Sequence, residues 1–360
     1  MNIHNFSAGP SILPQEVFEK AAQAVLNLNN SGLSILEISH RSKAFIDIME
    51  EAKKLVLELM QLENKGYEVL FLQGGASMEF LRVPYNLLAQ NQTAAYLDTG
   101  VWSSNAIKEA QSFGEVKVIE TSKDKNYNYI PKNYAVPEDV AYFHCTSNNT
   151  IYGTQIHEFP TSSVPVVCDM SSDIFSREID YSYFDLIYAG AQKNMGPAGV
   201  TLIVVKKDIL GNSGRKIPTL LDYEKHIAAE SMLNTPPVFA VFVSLLNLQW
   251  IKSNGGIATI AEKNKKKAAL LYAEIDRNSL FEGTATTEDR SQMNVTFVLK
   301  NIDHTKKFAE IFESKQISGI IGHRSVGGYR ASIYNAMTIE SVQVLVDAMK
   351  ELEQSSNDSK

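Results

Sequence analysis

The segment FDLIYAGAQKNMGPAGVT, residues 184–201, carries the pattern that decides how the chain is read. Its apolar opening, residues 184–188, reads as a buried strand. The strand passes into Ala189, Gly190 and Ala191, and Gln192 and Lys193 then precede the turn Gly196-Pro197-Ala198-Gly199. A lysine at the mouth of an apolar strand, walled by residues too small to block it, can be desolvated. Desolvation disfavours the ammonium and lowers its pKa, as an amine that must form a Schiff base requires. A solvent-facing loop lysine fits the same spacing, so this segment alone leaves both readings open.

Working outward, residues 201–205 form a second strand, and five more apolar runs come before: 68–72 (EVLFL), 94–97, 116–119, 140–144 and 164–168. Helical spacing lies between or before them at 45–59, 78–89 and 102–112, and Pro14 opens an earlier helix in its first turn. Buried strands alternating with helices predict an α/β fold with a mainly parallel seven-stranded sheet covered on both faces. The last hundred residues differ. Helices over 257–275, 304–314 and 339–352 surround a strand over 294–299, a smaller α+β unit that starts near Asn254-Gly255-Gly256. The expected division is 1–254 and 255–360, with the N-terminal segment 1–15 packing near the smaller unit. Lys263, Lys265, Lys266 and Lys267 read as a solvated helix face, and the tail QSSNDSK as polar and frayed.

The 360 residues hold 34 basic and 41 acidic side chains, a net charge of −7, which gives no general reason to bind nucleic acid. An anion site must therefore be local. Two cysteines, Cys145 and Cys168, exclude a disulfide scaffold and a multi-cysteine zinc site; each lies in an apolar run and reads as a small core residue, and no metal is expected. The N-terminus lacks the pattern of a secretory signal. The longest apolar stretch, 238–251, is interrupted by Ser244, Asn247 and Gln249 and is too short and polar to span a bilayer. The expected location is cytoplasmic.

Further constellations bear on chemistry. VPVVCD places Asp169 at a strand end upstream of the lysine strand, where it suits a partner for a pyridinium nitrogen or a cap for the following turn. Gln73-Gly74-Gly75-Ala76-Ser77 joins a strand to a helix, so backbone N–H groups can approach a phosphate there; it is neither GxxxxGK[ST] nor GxGxxG, and a plain tight turn fits as well. Trp102, after Asp98-Thr99-Gly100, either stacks on a flat ring or fills the core. Two His-Arg pairs, His40-Arg41 and His323-Arg324, the latter followed by Arg330, suggest an assembled anion site or surface ion pairs.

FSAGPSILP, EISHRS, QGGAS, TSNNTIYGTQ, CDMSSDIFSR, YAGAQKNMGPAG, MLNTPPVFA and HRSVGGYRASIYNA follow one another from Phe6 to Ala336. In that order they resemble the phosphoserine aminotransferase family, class V aminotransferases of fold type I that use pyridoxal 5′-phosphate (PLP). The resemblance implies that Lys193 is the Schiff-base lysine, with Gln192 beside it as a cofactor contact. It implies Asp169 as pyridinium partner, Trp102 as the stacked ring and Thr150 as a hydroxyl-side or phosphate-side ligand. Ala76 and Ser77 resemble the phosphate cradle. Asn234 and Thr235 resemble a pair that reaches the phosphate from a neighbouring subunit, which implies a homodimer. Arg41 resembles a substrate-anion ligand, with His40, His323 and Arg324 sharing the distal charge, and Arg330 is the candidate for the α-carboxylate.

Two positions depart from some members: Ser77 stands where they carry Arg, and Ala8 where they carry Ser, leaving Ala8 only its backbone to offer. The activity implied is transamination between L-glutamate and 3-phosphohydroxypyruvate, giving O-phospho-L-serine and 2-oxoglutarate, with ping-pong kinetics. The sequence leaves open a side activity on 4-phosphohydroxy-L-threonine, the vitamin B6 precursor. The alternatives are a serine/alanine–glyoxylate type enzyme of the same fold, against which the twin His-Arg pairs speak, and a non-catalytic PLP-binding homologue, against which the lysine, carboxylate and tryptophan set speaks.

Overall fold

A seven-stranded sheet is built around strands that are almost wholly apolar because both of their faces are covered, with the partly exposed strand Glu115–Thr121 at one edge. The computed structural model describes residues 3–357. The strands are β1 (Tyr67–Leu72), β2 (Thr93–Asp98), β3 (Glu115–Thr121), β4 (Phe143–Thr146), β5 (Val166–Asp169), β6 (Leu186–Gly190) and β7 (Thr201–Lys206), in spatial order β1-β7-β6-β5-β4-β2-β3. Only β7 runs antiparallel to its neighbours. Successive side chains leave a strand on opposite faces. Val69, Phe71, Cys145, Cys168, Ile187, Ala189, Leu202 and Val204 therefore pack beneath helices α1 (Gln15–Leu26), α2 (Lys43–Leu59) and α6 (Val238–Ser253). Leu70, Leu72, Tyr96, Val167, Leu186, Tyr188 and Ile203 face α3 (Gly75–Leu87), α4 (Val101–Ala110) and the short α5 (Tyr223–Ala228). Both cysteines are buried and free.

Strands β4, β5 and β6 begin two to three residues later than their apolar runs. Val140 and Val164 pack on the core without joining the ladder, whereas the ladder continues through polar ends: Thr146 pairs with Asp169, and Asp169 with Tyr188. Apolarity reports burial, and pairing does not stop where burial does. Pro14 precedes α1 instead of sitting in its first turn.

The chain leaves α6 at Asn254 and turns through Gly255 and Gly256, at φ 93° and φ 71°. A Cβ on Gly255 would lie 2.3 Å from Thr259 Oγ1, so the turn into α7 (Gly256–Arg277) requires glycine. A three-stranded antiparallel sheet, β8 (Phe281–Gly283), β9 (Asn294–Leu299) and β10 (Tyr329–Ser332), then packs with α7, α8 (Thr305–Ser314) and α9 (Ile339–Asn357). Their core includes Leu271, Phe297, Phe308, Leu345 and, from the N-terminal segment, Phe6; His4–Asn5 pairs with Ile317–Ser318. Two expectations are corrected here. Lys267 is buried, at 2% exposure, so the basic helix face is solvated only at Lys263, Lys265 and Lys266. Helix α9 continues through Asn357, the Ser355 and Ser356 hydroxyls bonding back to the Leu352 carbonyl; of the tail expected to fray, only residues 358–360 lie outside the described residues.

Candidate active site

The parallel strands β1, β2, β5 and β6 bring their C-terminal ends to one edge of the sheet, where open α/β sheets bind ligands. Each end delivers one predicted residue or turn. Asp169 closes β5 on the face shared with α3 and α4; it is buried, and its Oδ1 accepts the Ser171 N–H at 2.9 Å. It thus caps the local turn while part of the carboxylate stays available. Burial raises its pKa, opposed by Lys193.

Lys193 follows β6 by three residues and is half-buried. Its Nζ donates to Thr150 Oγ1 at 2.7 Å and stands 5.7 Å from the centre of the Trp102 ring. Burial pushes the amine down to about 8; Asp169 and Asp173 pull the other way, and Arg330 adds to the depression. Asn194 fixes the lysine loop on three sides. Its Oδ1 accepts the Asn335 N–H at 2.9 Å, its Nδ2 donates to the Ser172 carbonyl, and its own carbonyl accepts from Asn247 of α6. The N-terminal segment closes over the loop: Ser11 N–H donates to the Gln192 carbonyl, and the Ala8 carbonyl accepts from Tyr334 at 2.8 Å. Gln192 lies over Gly190, where an added Cβ would come 2.8 Å from Gln192 Oε1.

The β2 end positions Trp102. Asp98 accepts from the hydroxyls of Ser103, Ser104, Thr121 and Tyr127, which pins the turn into α4. Trp102 is half-buried against the cluster under α3, with Nε1 buried and unpaired, so it is at once core filler and site wall. At the β1 end, Gly74 has φ 115°, and a Cβ there would stand 2.5 Å from Met78 Cβ. Helix α3 consequently starts without a side-chain cap, its first N–H groups belonging to Gly75, half-buried Ala76 and exposed Ser77. Asn234 is exposed and donates to Gln73 Oε1 of its own chain at 2.8 Å, which places Asn234 and Thr235 beside that turn.

Basic residues complete the picture. Arg330 leaves β10 half-buried, donates from Nη1 to the Thr150 carbonyl at 3.4 Å and keeps Nε buried without a partner; burial lowers its pKa. Thr150 thus joins Lys193 through its hydroxyl to Arg330 through its carbonyl. His323 bonds Ser325 Oγ at 2.7 Å; burial lowers its pKa, and the charges of Arg330 and Arg324 lower it further, which puts these three residues in one electropositive patch. His40 and Arg41 are not brought to it within the chain. Among the described residues, Arg41 bonds only through its backbone N–H to Ser39 Oγ, and its side chain is exposed. Asn194, Asn335 and Ser11 were missed by sequence reasoning. The only signal for Asn194 is its place directly after Lys193 in a run of small residues.

Comparison with known proteins identifies the family of the chain. The family model for class-V aminotransferases matches residues 3–345. A phosphoserine aminotransferase of Flavobacterium johnsoniae is 69% identical over 98% of this chain and 99% of its own. The structure of the phosphoserine aminotransferase from Bacillus circulans subsp. alkalophilus superposes with a TM-score of 0.95 at 42% identity, covering 99% of both chains. A PLP-bound phosphoserine aminotransferase from Trichomonas vaginalis does so at 0.91 and 35% identity, over 97% of this chain and all of that one. Matched along nearly its whole length, the chain belongs to the class-V aminotransferases and, among them, to the phosphoserine aminotransferase family.

Proposed function

We propose that the chain is a phosphoserine transaminase, moving the amino group of L-glutamate to 3-phosphohydroxypyruvate to give O-phospho-L-serine and 2-oxoglutarate in serine biosynthesis. Its cofactor is pyridoxal 5′-phosphate, and the residues fit that group. The uncapped N-terminus of α3, with Ala76 and Ser77, offers N–H groups to a phosphate. Trp102 offers a ring face, the Asp169 carboxylate an acceptor for a ring N–H, and Lys193 a desolvated amine; Gln192 and Thr150 line the same space. When bound, PLP supplies a carbonyl that takes up the amino group and a ring that withdraws electrons from the substrate Cα.

The protein's own part is binding, orientation and proton transfer. Lys193 Nζ would hold the cofactor, and as an amine whose pKa burial lowers to about 8 it would carry a proton from the substrate Cα and return it. Arg330 receives the substrate α-carboxylate: it is cationic, half-buried and paired with no acid among the described residues. His323 and Arg324 receive the distal anion that glutamate and phosphoserine share. Ala8 contributes backbone only, its carbonyl already bonded to Tyr334. The single observation that carries the reading is desolvated Lys193 set between the Trp102 face, buried Asp169 and Arg330.

Within this proposal the protein is a cytoplasmic homodimer, with His40, Arg41, Asn234 and Thr235 completing the partner subunit's site. Exposed Leu33 and Leu36, just before His40, and exposed Leu220 supply apolar surface for such an interface. No helix among the described residues is long and apolar enough to cross a membrane. Separate cores support a division near residue 254, although Ile257 and Ile260 at the start of α7 still pack in the first; Phe6 and Ile12 tie the N-terminal segment to the second core, while Leu13 packs in the first.

The test is a visible spectrum of the purified holoprotein. The band of the lysine-bound cofactor should convert to the amine form on adding phosphoserine or glutamate and stay unchanged with serine or alanine. A band that serine or alanine bleaches and phosphoserine does not would reassign the substrate.

A further inference from the structure

The lysines of α7 do more than solvate a helix. Lys263, Lys266 and Lys267 border a cavity of about 310 Å³ between α7 and the turn that leads into α9. Its apolar wall is Trp250, Met337 and Ile339, and Ile339 remains 42% exposed. Residues three and four apart share a helix face, so the Lys263 and Lys266 ammonium groups repel one another across this space, and Lys263 adds to the burial that depresses Lys267. The neighbouring Lys265 is relieved by Glu262 at 3.4 Å; no ion pair among the described residues relieves Lys263 or Lys266. Buried Lys267 has only the carbonyls of Ile333 and Tyr334, at 2.9 and 2.6 Å, with no carboxylate. One acid, Glu340, lines the cavity. A protein of net charge −7 has gathered two exposed ammonium groups and the buried amine of Lys267 around one apolar hollow.

We propose that this cavity is a binding site for an anion carried on a flat apolar body, an arylalkyl carboxylate or an aryl phosphate. The ring would lie against Trp250 and Met337, displacing water from apolar surface. The anion would lie between Lys263 and Lys266 and offset their repulsion, in a pocket of the size small ligands use. The start of the 19-residue helix α9 faces the same hollow, and its dipole favours negative charge. The floor of the cavity reaches Asn335, whose N–H holds Asn194 beside Lys193, so the site backs onto the lysine loop without sharing its ligands.

The proposal stands apart from the transaminase reading, because it is tested by binding to the intact holoprotein. Calorimetric titrations with phenylacetate, phenyl phosphate, benzyl alcohol and acetate are compared between the natural protein and the Lys263→Ala/Lys266→Ala variant. The expected result is saturable binding of phenylacetate or phenyl phosphate that weakens about tenfold or more in the double variant, whose transamination rate is unchanged. Benzyl alcohol and acetate bind about tenfold or more weaker than the aryl anions, since each lacks half of the recognition. Equal affinity in natural and variant protein, acetate binding as tightly as phenylacetate, or no saturation with any probe overturns the site.

Discussion

Two lysines in this protein have lost their water, and they illustrate opposite uses of that loss. Burial pushes Lys193 down to about 8 and Lys267 down to about 7. By that measure alone Lys267 is the more perturbed residue. Their surroundings separate them. Lys193 has one hydroxyl partner, an aromatic face, two carboxylates within Coulombic reach and a flexible-looking sequence of small residues around it. Lys267 lies on a helix and spends two of its three donors on fixed carbonyls. A depressed amine thus marks reactivity only where something reactive can reach it and where its charge can be exchanged with nearby groups.

The largest effect should come from exchanging the fates of these residues. Lys193→Ala is expected to keep PLP without a covalent bond and to lower kcat about 10⁴-fold or more, whereas Lys267→Met leaves kcat within about threefold. Steady-state rates and the spectrum of each variant decide this, and a near-normal rate for Lys193→Ala ends the assignment. Next in size is Asp169→Asn, which keeps the shape and the bond from Ser171 but removes the charge. A fall of about 10²-fold or more in kcat, with folding intact by circular dichroism, is expected, and a fall below about threefold would make Asp169 merely a turn cap. Smaller again is Arg324→Ala or Arg41→Ala, predicted to raise KM for the phosphorylated substrate about tenfold. An unchanged KM in both moves recognition of the distal anion elsewhere.

The same contrast shows what the sequence could carry. Seven runs revealed the seven strands; the central ones are covered on both faces and have few polar positions to disguise them, whereas edge strand β3 alternates polar and apolar residues and is partly exposed. Their ends were less legible: Thr146 and Asp169 belong to the ladder although polarity suggests otherwise. Lys193 stood out as a candidate because Ala189, Gly190 and Ala191 leave it room, but that spacing fitted a loop lysine equally and only the family resemblance separated the two. Lys267 did not stand out, because in KNKKKAA it differs in nothing from its neighbours, and only the carbonyls of Ile333 and Tyr334, sixty-odd residues away in the chain, single it out. Long-range hydrogen bonding also hid Asn194 and Asn335, each satisfied by an element that no local spacing could name. His40 and Arg41 mark another boundary. A motif can give their identity, but a single chain does not bring them to the lysine.

The last and smallest effect concerns stability. In the unfolded chain Lys267 holds its proton up to about pH 10.4, whereas in the fold it releases it near about 7. Between those values the unfolded state binds more protons, so raising the pH stabilises the fold, by at most about 1.4 kcal/mol per pH unit from this one group. Below pH 7 both states are protonated, and the penalty for burying the charge is present in full. Lys267→Met removes the titration and leaves the Ile333 and Tyr334 carbonyls without their donor, a loss of about 1–3 kcal/mol each that does not depend on pH. The variant is therefore expected to be nearly as stable as the natural protein at pH 6 and to fall behind it as the pH rises from 7 to 9. Urea denaturation of both proteins without cofactor, at pH 6, 7, 8 and 9, measures the gap, and Lys193, common to both, cancels. A gap that stays constant across the series would mean that Lys267 keeps its proton when buried. The carbonyl pair would then serve as its full counter-charge, and the two lysines would differ in charge as well as in access.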